Sequence, residues 1–111
     1  MTINKPAIKL YVHSKEEALI KEVCAGMEEE GVPFELEEQQ ESELDSLSYR
    51  AATDSVLGVG IGIRQADVAI QMSPLPKGNN IFKMENPTLK QGRLLGMNAA
   101  RAVKRMPFKP L

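Results

Sequence analysis

The sequence predicts an α/β fold in which a small, mostly parallel mixed sheet is flanked by helices in three layers. Two observations lead to this prediction. Short apolar runs alternate with segments of helical periodicity, in the order strand, helix, strand, helix, strand, strand, helix. The chain has 111 residues and contains no repeat, low-complexity tract or evident domain boundary. We therefore expect one domain over residues 1–111 with a modest core.

The first third of the chain predicts a strand, a helix and a second strand. Residues 7–12 form an apolar run that is long enough for a buried strand. Ser14 and Glu17 fit a capping box at the start of a helix. That helix should end just before Gly31, the expected left-handed stop. Residues 33–37 then alternate between apolar and acidic side chains, which is typical of a half-exposed strand near a sheet edge.

The rest of the chain predicts two further helices and a hairpin. Residues 57–63 alternate large apolar residues with glycine, so a strand is expected whose glycine face lets a helix approach closely. Asn86 as cap and Pro87 as first residue should start the final helix, whose apolar stripe reaches Met106. In order, the remaining elements are a helix at 44–54, strands at 57–63 and 68–72, a short edge strand at 81–84, and a helix from 87 to about 104.

Composition excludes several classes of protein. The formal net charge is −1, which argues against a general binder of nucleic acid or of anionic membranes. Cys24 is the one cysteine, so an internal disulfide is excluded and a reducing compartment is favoured. The first seven residues hold no apolar run of signal-peptide length, and no stretch approaches the roughly 20 apolar residues of a membrane span. A cytoplasmic location is expected.

Charge is distributed unevenly along the chain. Residues 28–45 contain nine acidic residues and no basic one, whereas residues 83–109 contain seven basic residues and one acidic residue. This asymmetry indicates an acidic surface in one place and a basic final helix in another. Two solvated faces that roughly cancel are the simpler interpretation, and a docking surface for a partner is the other.

Patterns that resemble catalytic or nucleotide sites are incomplete. The glycines of residues 58–62 alternate within a strand instead of forming a phosphate-binding turn before a helix. His13 is the only histidine, and it follows the first strand, where ligands of α/β proteins often lie. Cys24 falls on the apolar stripe of the first helix, with no cationic neighbour evident to lower its pKa. We expect no catalysis by this chain alone.

Glu28, Glu29 and Glu30 are the best candidates for a site. They lie in the last turn of the first helix, whose carbonyl end already carries partial negative charge. A frayed, solvated helix end is one interpretation. The other is a cation or basic partner outside the chain that offsets the repulsion. Successive helical residues diverge by about 100°, so at most one glutamate would ligate an ion. One carboxylate delivered to a partner's Mg-nucleotide site would suit Mg²⁺, which commonly takes one or two protein carboxylates.

Four segments resemble the small (beta) subunit of diol and glycerol dehydratase-reactivating factors. The first strand opens with Pro-Ala-Ile, and the acidic segment reads Gly-Met-Glu-Glu-Glu-Gly-Val-Pro-Phe where the family has Gly-Ile-Glu-Glu-Glu-Gly-Ile-Pro-Phe. A glycine-containing strand and an Asn-Ala-Ala-Arg-x-Val-Lys…Pro-Phe ending complete the resemblance. In this sequence the four segments are residues 6–8, 22–34, 57–61 and 98–108.

The resemblance implies a non-catalytic subunit of an ATP-dependent, chaperone-like factor. Such factors release damaged cobalamin from adenosylcobalamin-dependent dehydratases by subunit exchange, and the small subunit has a fold similar to that of the dehydratase medium subunit. A large ATPase subunit would be the partner, in a heterotetramer of two large and two small subunits, with the dehydratase bound transiently. ATP or ADP would bind to the large subunit. Glu29 maps onto the family glutamate that helps coordinate Mg²⁺ near that nucleotide.

Two other interpretations stay open on the sequence alone. One is the dehydratase medium subunit itself, which the short chain disfavours because that subunit is usually longer. The other is a stand-alone α/β ligand-binding or small enzyme domain that uses His13 and the glycine strand. The choice between glycerol and 1,2-propanediol as substrate of the target enzyme, and any association with a bacterial microcompartment, also stay open.

Overall fold

The computed structural model describes residues 5–111, so the first four residues of the predicted domain lie outside the described part. Along the chain the elements are β1 (Ile8–His13), α1 (Glu17–Glu29), β2 (Phe34–Glu38), α2 (Leu44–Asp54), β3 (Val59–Arg64), β4 (Asp67–Met72), β5 (Phe82–Met84) and α3 (Leu89–Lys104).

The strands form one mixed sheet in the order β2-β1-β3-β4-β5. β1 pairs in parallel with β2 and β3, whereas β3 with β4 and β4 with β5 are antiparallel. The predicted α/β class, the mixed sheet and both edge strands are therefore confirmed. Two of the four strand pairs are parallel, a smaller share than predicted, because β4 returns beside β3 through a short turn instead of a helical crossover.

Different helices cover the two faces of the sheet, because neighbouring residues of a strand point to opposite sides. Leu10 and Val12 of β1 belong to the core beneath α1 and α3. Tyr11, between them, packs with Leu47 and Ala51 of α2 on the other face. The result is the predicted three-layer arrangement.

The glycines of β3 allow α2 to lie directly on the sheet. A Cβ atom added at Gly60 would lie 2.0 Å from the backbone nitrogen of Ala52, and one added at Gly62 would lie 2.7 Å from that of Ser48. The predicted close approach of a helix is confirmed. The strand begins at Val59, two residues later than predicted, because Gly58 has a positive φ of 74° and lies in the preceding turn.

Two predicted helix caps are wrong. Ser14 does not cap α1; its hydroxyl donates to the carbonyl of Gln65 and accepts from the amide of Glu16, the residue before the helix. α3 begins after Thr88, whose side chain forms a capping box with Gln91, and not at the predicted Asn86 and Pro87.

Helix α3 ends at Lys104, as predicted, but Met106 does not belong to its apolar stripe. Arg105 adopts a left-handed conformation with a φ of 56° and ends the helix. Met106, which was predicted to be the last residue of that stripe, therefore lies beyond the helix and is 40% exposed. None of the helices in the described residues combines the length and apolar character needed to cross a bilayer.

Candidate functional site at the end of helix α1

Helix α1 ends in a glycine capping motif at Gly31, directly after its three acidic residues. The amide of Val32 donates to the carbonyl of Met27 at 3.2 Å, and the amide of Gly31 donates to that of Glu28 at 3.0 Å. Gly31 has the predicted left-handed conformation, with a φ of 74°. These two bonds satisfy terminal carbonyls of the helix and turn the chain directly into β2.

Helix α3 runs beside α1 in the same direction, so its basic C-terminal half reaches the acidic end of α1. Glycines bring the two backbones together: a Cβ atom at Gly26 would lie 2.1 Å from the carbonyl oxygen of Arg93, and one at Gly96 would lie 2.0 Å from that of Val23. The close contact fixes which side chains of the two helices can meet.

Glu30 is held by two basic side chains of α3. Its Oε2 atom accepts from Arg101 Nε at 3.1 Å, and its Oε1 atom accepts from Lys104 Nζ at 2.7 Å. Lys104 Nζ also donates to the backbone carbonyl of Glu30 at 2.8 Å. The Glu30 side chain is 9% exposed. The hydrogen bond from Lys104, supported by that from Arg101, holds the pKa of Glu30 below its usual value.

Glu29 and Glu28 are less constrained than Glu30. The side chain of Glu29 is 53% exposed, and its Oε2 atom lies 3.8 Å from Arg93 Nη1. Arg93 is shared, since its Nε atom lies 3.2 Å from the carboxylate of Glu22. Glu28 is exposed, and within residues 5–111 no basic nitrogen forms an ion pair with it.

Part of the charge of these glutamates is offset within the chain itself, a source that neither of the two interpretations from the sequence included. Glu30 is compensated within the chain, and Glu29 has a distant basic neighbour. The uneven charge along the chain predicted a basic final helix, but not its contact with the acidic run. The signal that could have done so is the spacing of Arg93, Arg101 and Lys104 at i, i+8 and i+11, which lie along one side of a helix.

The glutamates do not form a metal site by themselves. Across the described residues, no three His, Cys, Asp or Glu side chains come together in a way that could hold a metal ion. A carboxylate of Glu28 or Glu29 is accessible from solvent and could supply one oxygen ligand to an ion held mainly by another molecule. The carboxylate of Glu30 is already engaged.

His13 and Cys24 have features of structural residues. His13 Nδ1 lies 2.9 Å from the carbonyl oxygen of Gln39, so the ring joins the end of β1 to the loop after β2. Burial, together with the charge of Glu28, raises the pKa of the Cys24 thiol to about 11. A thiol with this pKa stays protonated at neutral pH and is a poor nucleophile.

The remaining candidate, the glycine strand, has no space for a ligand beside its glycines, because α2 packs directly against them. Gly60 and Gly62 face the backbone of α2 with no room for a side chain, so they do not form a loop that could surround a phosphate. Among the described residues, the end of α1 is therefore the candidate site that remains, because Glu28 and Glu29 are acidic and accessible there.

Comparisons with known proteins agree over nearly the whole chain. Residues 5–109 match the family model described as dehydratase medium subunit. The chain is 36% identical to the diol dehydratase-reactivating factor small subunit of Klebsiella michiganensis, over 96% of this chain and 86% of that protein. It is 35% identical to the propanediol dehydratase-reactivating factor small subunit of Salmonella typhimurium, over 96% of this chain and 92% of that protein.

Two solved structures of reactivating factors also match nearly the whole chain. A chain of a diol dehydratase-reactivating factor complexed with ADP and Mg²⁺ matches with a TM-score of 0.88 and 33% identity, over 96% of this chain and 99% of that one. A chain of a glycerol dehydratase reactivase matches with a TM-score of 0.89 and 28% identity, over 96% of this chain and 98% of that one.

The fold and the family model define the class, an α/β domain of the dehydratase medium subunit type. Within this class the chain belongs to the small subunits of diol and glycerol dehydratase-reactivating factors, and the resemblance found in the sequence is confirmed.

Proposed function

We propose that this chain is the non-catalytic small subunit of an ATP-dependent, chaperone-like factor that releases damaged cobalamin from an adenosylcobalamin-dependent diol or glycerol dehydratase. The observation that carries the proposal is the match to reactivating-factor small subunits over 96% of the chain. The working location is the cytoplasm, with or without association with a bacterial microcompartment.

Subunit exchange is the mechanism that we propose for release. The chain matches a dehydratase medium subunit model over residues 5–109 and, over a similar length, subunits of reactivating factors. Two proteins of one fold can compete for one binding surface. The small subunit leaves its large partner, the dehydratase medium subunit is bound in its place, and the loosened enzyme loses the damaged cofactor.

The nucleotide belongs to the large subunit in this proposal. The glycines of this chain are used for packing, and a relative's structure is described as complexed with ADP and Mg²⁺. We expect the complex to contain two large and two small subunits, with ATP hydrolysis on the large one. The dehydratase is a transient partner.

Glu29 is the residue that we propose as a shared Mg²⁺ ligand. Its carboxylate is exposed and its single ion pair is long, at 3.8 Å, so little is lost when it turns towards a cation. A cation at this position also compensates the negative end of α1. Glu30 is a poor choice, because ligation would break its bonds to Arg101 and Lys104.

Co-expression with a candidate reactivating-factor large subunit tests both the subunit role of the chain and the Mg²⁺ role of Glu29. We expect a complex on size exclusion whose stability changes between ADP and ATP in the presence of Mg²⁺. Glu29→Ala should weaken the Mg²⁺-dependent component roughly tenfold, the effect of losing one charge-assisted contact of about 1.5 kcal/mol. Glu28→Ala is the matched control, since it removes a neighbouring exposed carboxylate and should leave Mg²⁺ dependence unchanged.

The possible results distinguish the metal role of Glu29 from the subunit role of the chain. A complex whose Mg²⁺ and nucleotide dependence is the same for Glu29→Ala and the unmodified chain removes the metal role but keeps the subunit role. Absence of any complex with the large subunit, under every nucleotide condition, contradicts the subunit role.

A second candidate function is that of a dehydratase medium subunit, which the family model favours by its description. Co-purification decides between the two. A stable complex with dehydratase subunits that binds cobalamin, and no complex with the reactivating-factor large subunit, would favour this second candidate.

A further inference from the structure

The outer edge of β2 is a row of backbone groups without partners in the described residues. Hydrogen bonds to β1 alternate along β2, as the bonds at its two flanks show: the amide of Ile8 donates to the carbonyl of Pro33 at 3.0 Å, and the amide of Gln39 donates to the carbonyl of Val12 at 2.8 Å. In a parallel ladder the intervening residues direct their amides and carbonyls away from the neighbouring strand. These are residues 34, 36 and 38, on a strand that lies at the edge of the sheet.

An apolar groove lies beside this edge on the α1 face. Leu36 is paired in register with Leu10, a core residue beneath α1, yet Leu36 itself is 49% exposed. Ile20 and Cys24 of α1 form the facing wall with partly buried side chains. The groove has a volume of about 600 Å³. An exposed leucine between a helix and an open strand edge is a surface to which an additional strand can bind.

The opposite face of the same edge is acidic. Glu35 and Glu37 are in register with Lys9 and Tyr11, so they point away from the groove, towards the α2 side. Lys9 neutralises Glu35 through a 2.8 Å ion pair, and Glu37 is exposed with no ion pair among the described residues. Glu38, also exposed, lines the groove together with Glu17, Lys15 and Lys21, so the charges of the groove itself balance and the acidic character belongs to the opposite face.

We propose that β2 binds an extended segment of a partner protein as an additional strand, and that this segment alternates apolar and basic residues. Its apolar side chains would lie in the groove beside Leu36, and its basic side chains would lie opposite Glu35 and Glu37. Main-chain hydrogen bonds would supply affinity, and the two faces would supply specificity.

The acidic edge argues against a second copy of this chain as the occupant. Pairing of two β2 strands would bring the glutamates of both copies onto the same side of the joined sheet. Like charges at opposed positions of paired strands are destabilising. A basic segment has the complementary charge. Because the surface does not include Glu29, the proposal is independent of the proposed Mg²⁺ role.

Hydrogen exchange followed by NMR tests the proposal with a defined probe, the peptide acetyl-Lys-Val-Lys-Val-Lys-Val-Lys-amide at millimolar concentration. We expect the outward amides of Phe34, Leu36 and Glu38 to exchange at least tenfold more slowly when the peptide is present. The inward amides of Glu35 and Glu37 should be unchanged. A peptide with Glu in place of each Lys should give no protection.

Leu36→Glu separates the proposed mode from simple charge attraction. If the apolar groove is required, the variant loses the protection, whereas binding by charge alone would be strengthened by the added carboxylate. Leu36→Val keeps an apolar side chain and should retain the protection. Unchanged exchange of residues 34, 36 and 38 with the basic peptide would overturn the proposal. Protection that appears without peptide as protein concentration rises would also overturn it, since the occupant would then be a second copy.

Discussion

At the scale of single residues, three consecutive glutamates have three different environments. Glu30 is enclosed by Arg101 and Lys104, Glu29 has one distant basic neighbour, and Glu28 has no ion pair within the described residues. The difference follows from the roughly 100° rotation between successive helical residues, which directs Glu30 towards Arg101 and Lys104 of α3, leaves Glu29 at 3.8 Å from Arg93, and gives Glu28 no basic partner on α3 among the described residues. The helix packing therefore separates a structural glutamate from those available for binding.

Glu30 should make the stability of the protein sensitive to acid. The pKa of its carboxyl is lowered in the folded state, so its contribution is fully present above the unfolded pKa of about 4.3 and is lost as pH falls through the folded pKa. We expect Glu30→Gln to reduce the free energy of unfolding by about 1 kcal/mol at pH 7. Urea denaturation should show this difference shrinking as the pH falls below the unfolded pKa and vanishing once the pH is below the folded pKa. Glu28→Gln, which removes no ion pair, should have no comparable effect, and an equal effect would contradict the assignment.

Arg105 offers a prediction about backbone strain. It occupies the left-handed position that ends α3, with a φ of 56°, where a side chain is unfavourable. Arg105→Gly should raise the free energy of unfolding by about 0.5–1 kcal/mol, measured by urea denaturation. Arg105→Ala removes the same charge but keeps the unfavourable conformation, so it should give no gain. Equal stabilisation by both variants would assign the effect to charge instead.

At the scale of elements, the glycines of β3 show how far the sequence could be interpreted. Their alternation with large apolar residues predicted a strand with one open face, and the structure places α2 on that face. The corresponding role of Gly26 and Gly96 between α1 and α3 was not predicted, because an isolated glycine in a helix does not indicate which element will approach it.

The residues at which helices begin were harder to predict than the presence of the helices. Ser14 and Asn86 both have side chains that can cap a helix, but each lies in a segment with another suitable residue or another use for the side chain. The hydroxyl of Ser14 bonds to Gln65, which is distant in the sequence, and Thr88 competes successfully with Asn86. At the candidate site, the run of three glutamates could be found from the sequence. Which of them is held by the fold and which are free to bind could not, because that depends on the contacts of Glu30 with Arg101 and Lys104 of α3.

The packing of α2 on β3 gives a prediction for the glycine strand. A methyl group at Gly60 would meet backbone atoms of Ala51 and Ala52, which cannot move without displacing the helix. Gly60→Ala should lower the free energy of unfolding by about 3 kcal/mol, at the upper end for overpacking. Gly31→Ala is a useful comparison, because nothing lies within 4 Å and only its positive φ of 74° is unfavourable. Its expected cost is about 1 kcal/mol, and similar costs in both variants would exclude a steric cause.

At the scale of the whole molecule, the C-terminal tail connects α3 with the far edge of the sheet. Arg101 donates to the carbonyl of Pro107 at 3.0 Å, and the ring of Phe108 packs edge-on against Phe82 of β5, with 4.9 Å between centroids. Arg101 also holds Glu30 at the end of α1. The tail, α3 and the candidate site are therefore joined through one side chain.

Asn98 is the residue that should hold the tail in place. It is fully buried on α3, where its Oδ1 atom accepts from the amide of Lys109 at 2.7 Å and its Nδ2 atom donates to the Lys109 carbonyl at 2.9 Å. Asn98→Ala removes both bonds, and we expect the free energy of unfolding to fall by about 2 kcal/mol. The Lys109 amide should then exchange with solvent at least tenfold faster. Phe108→Ala keeps both bonds while removing the contact with Phe82, so Lys109 should remain protected in that variant. Unchanged exchange at Lys109 in Asn98→Ala would mean that the aromatic contact, and not the buried amide, fixes the tail.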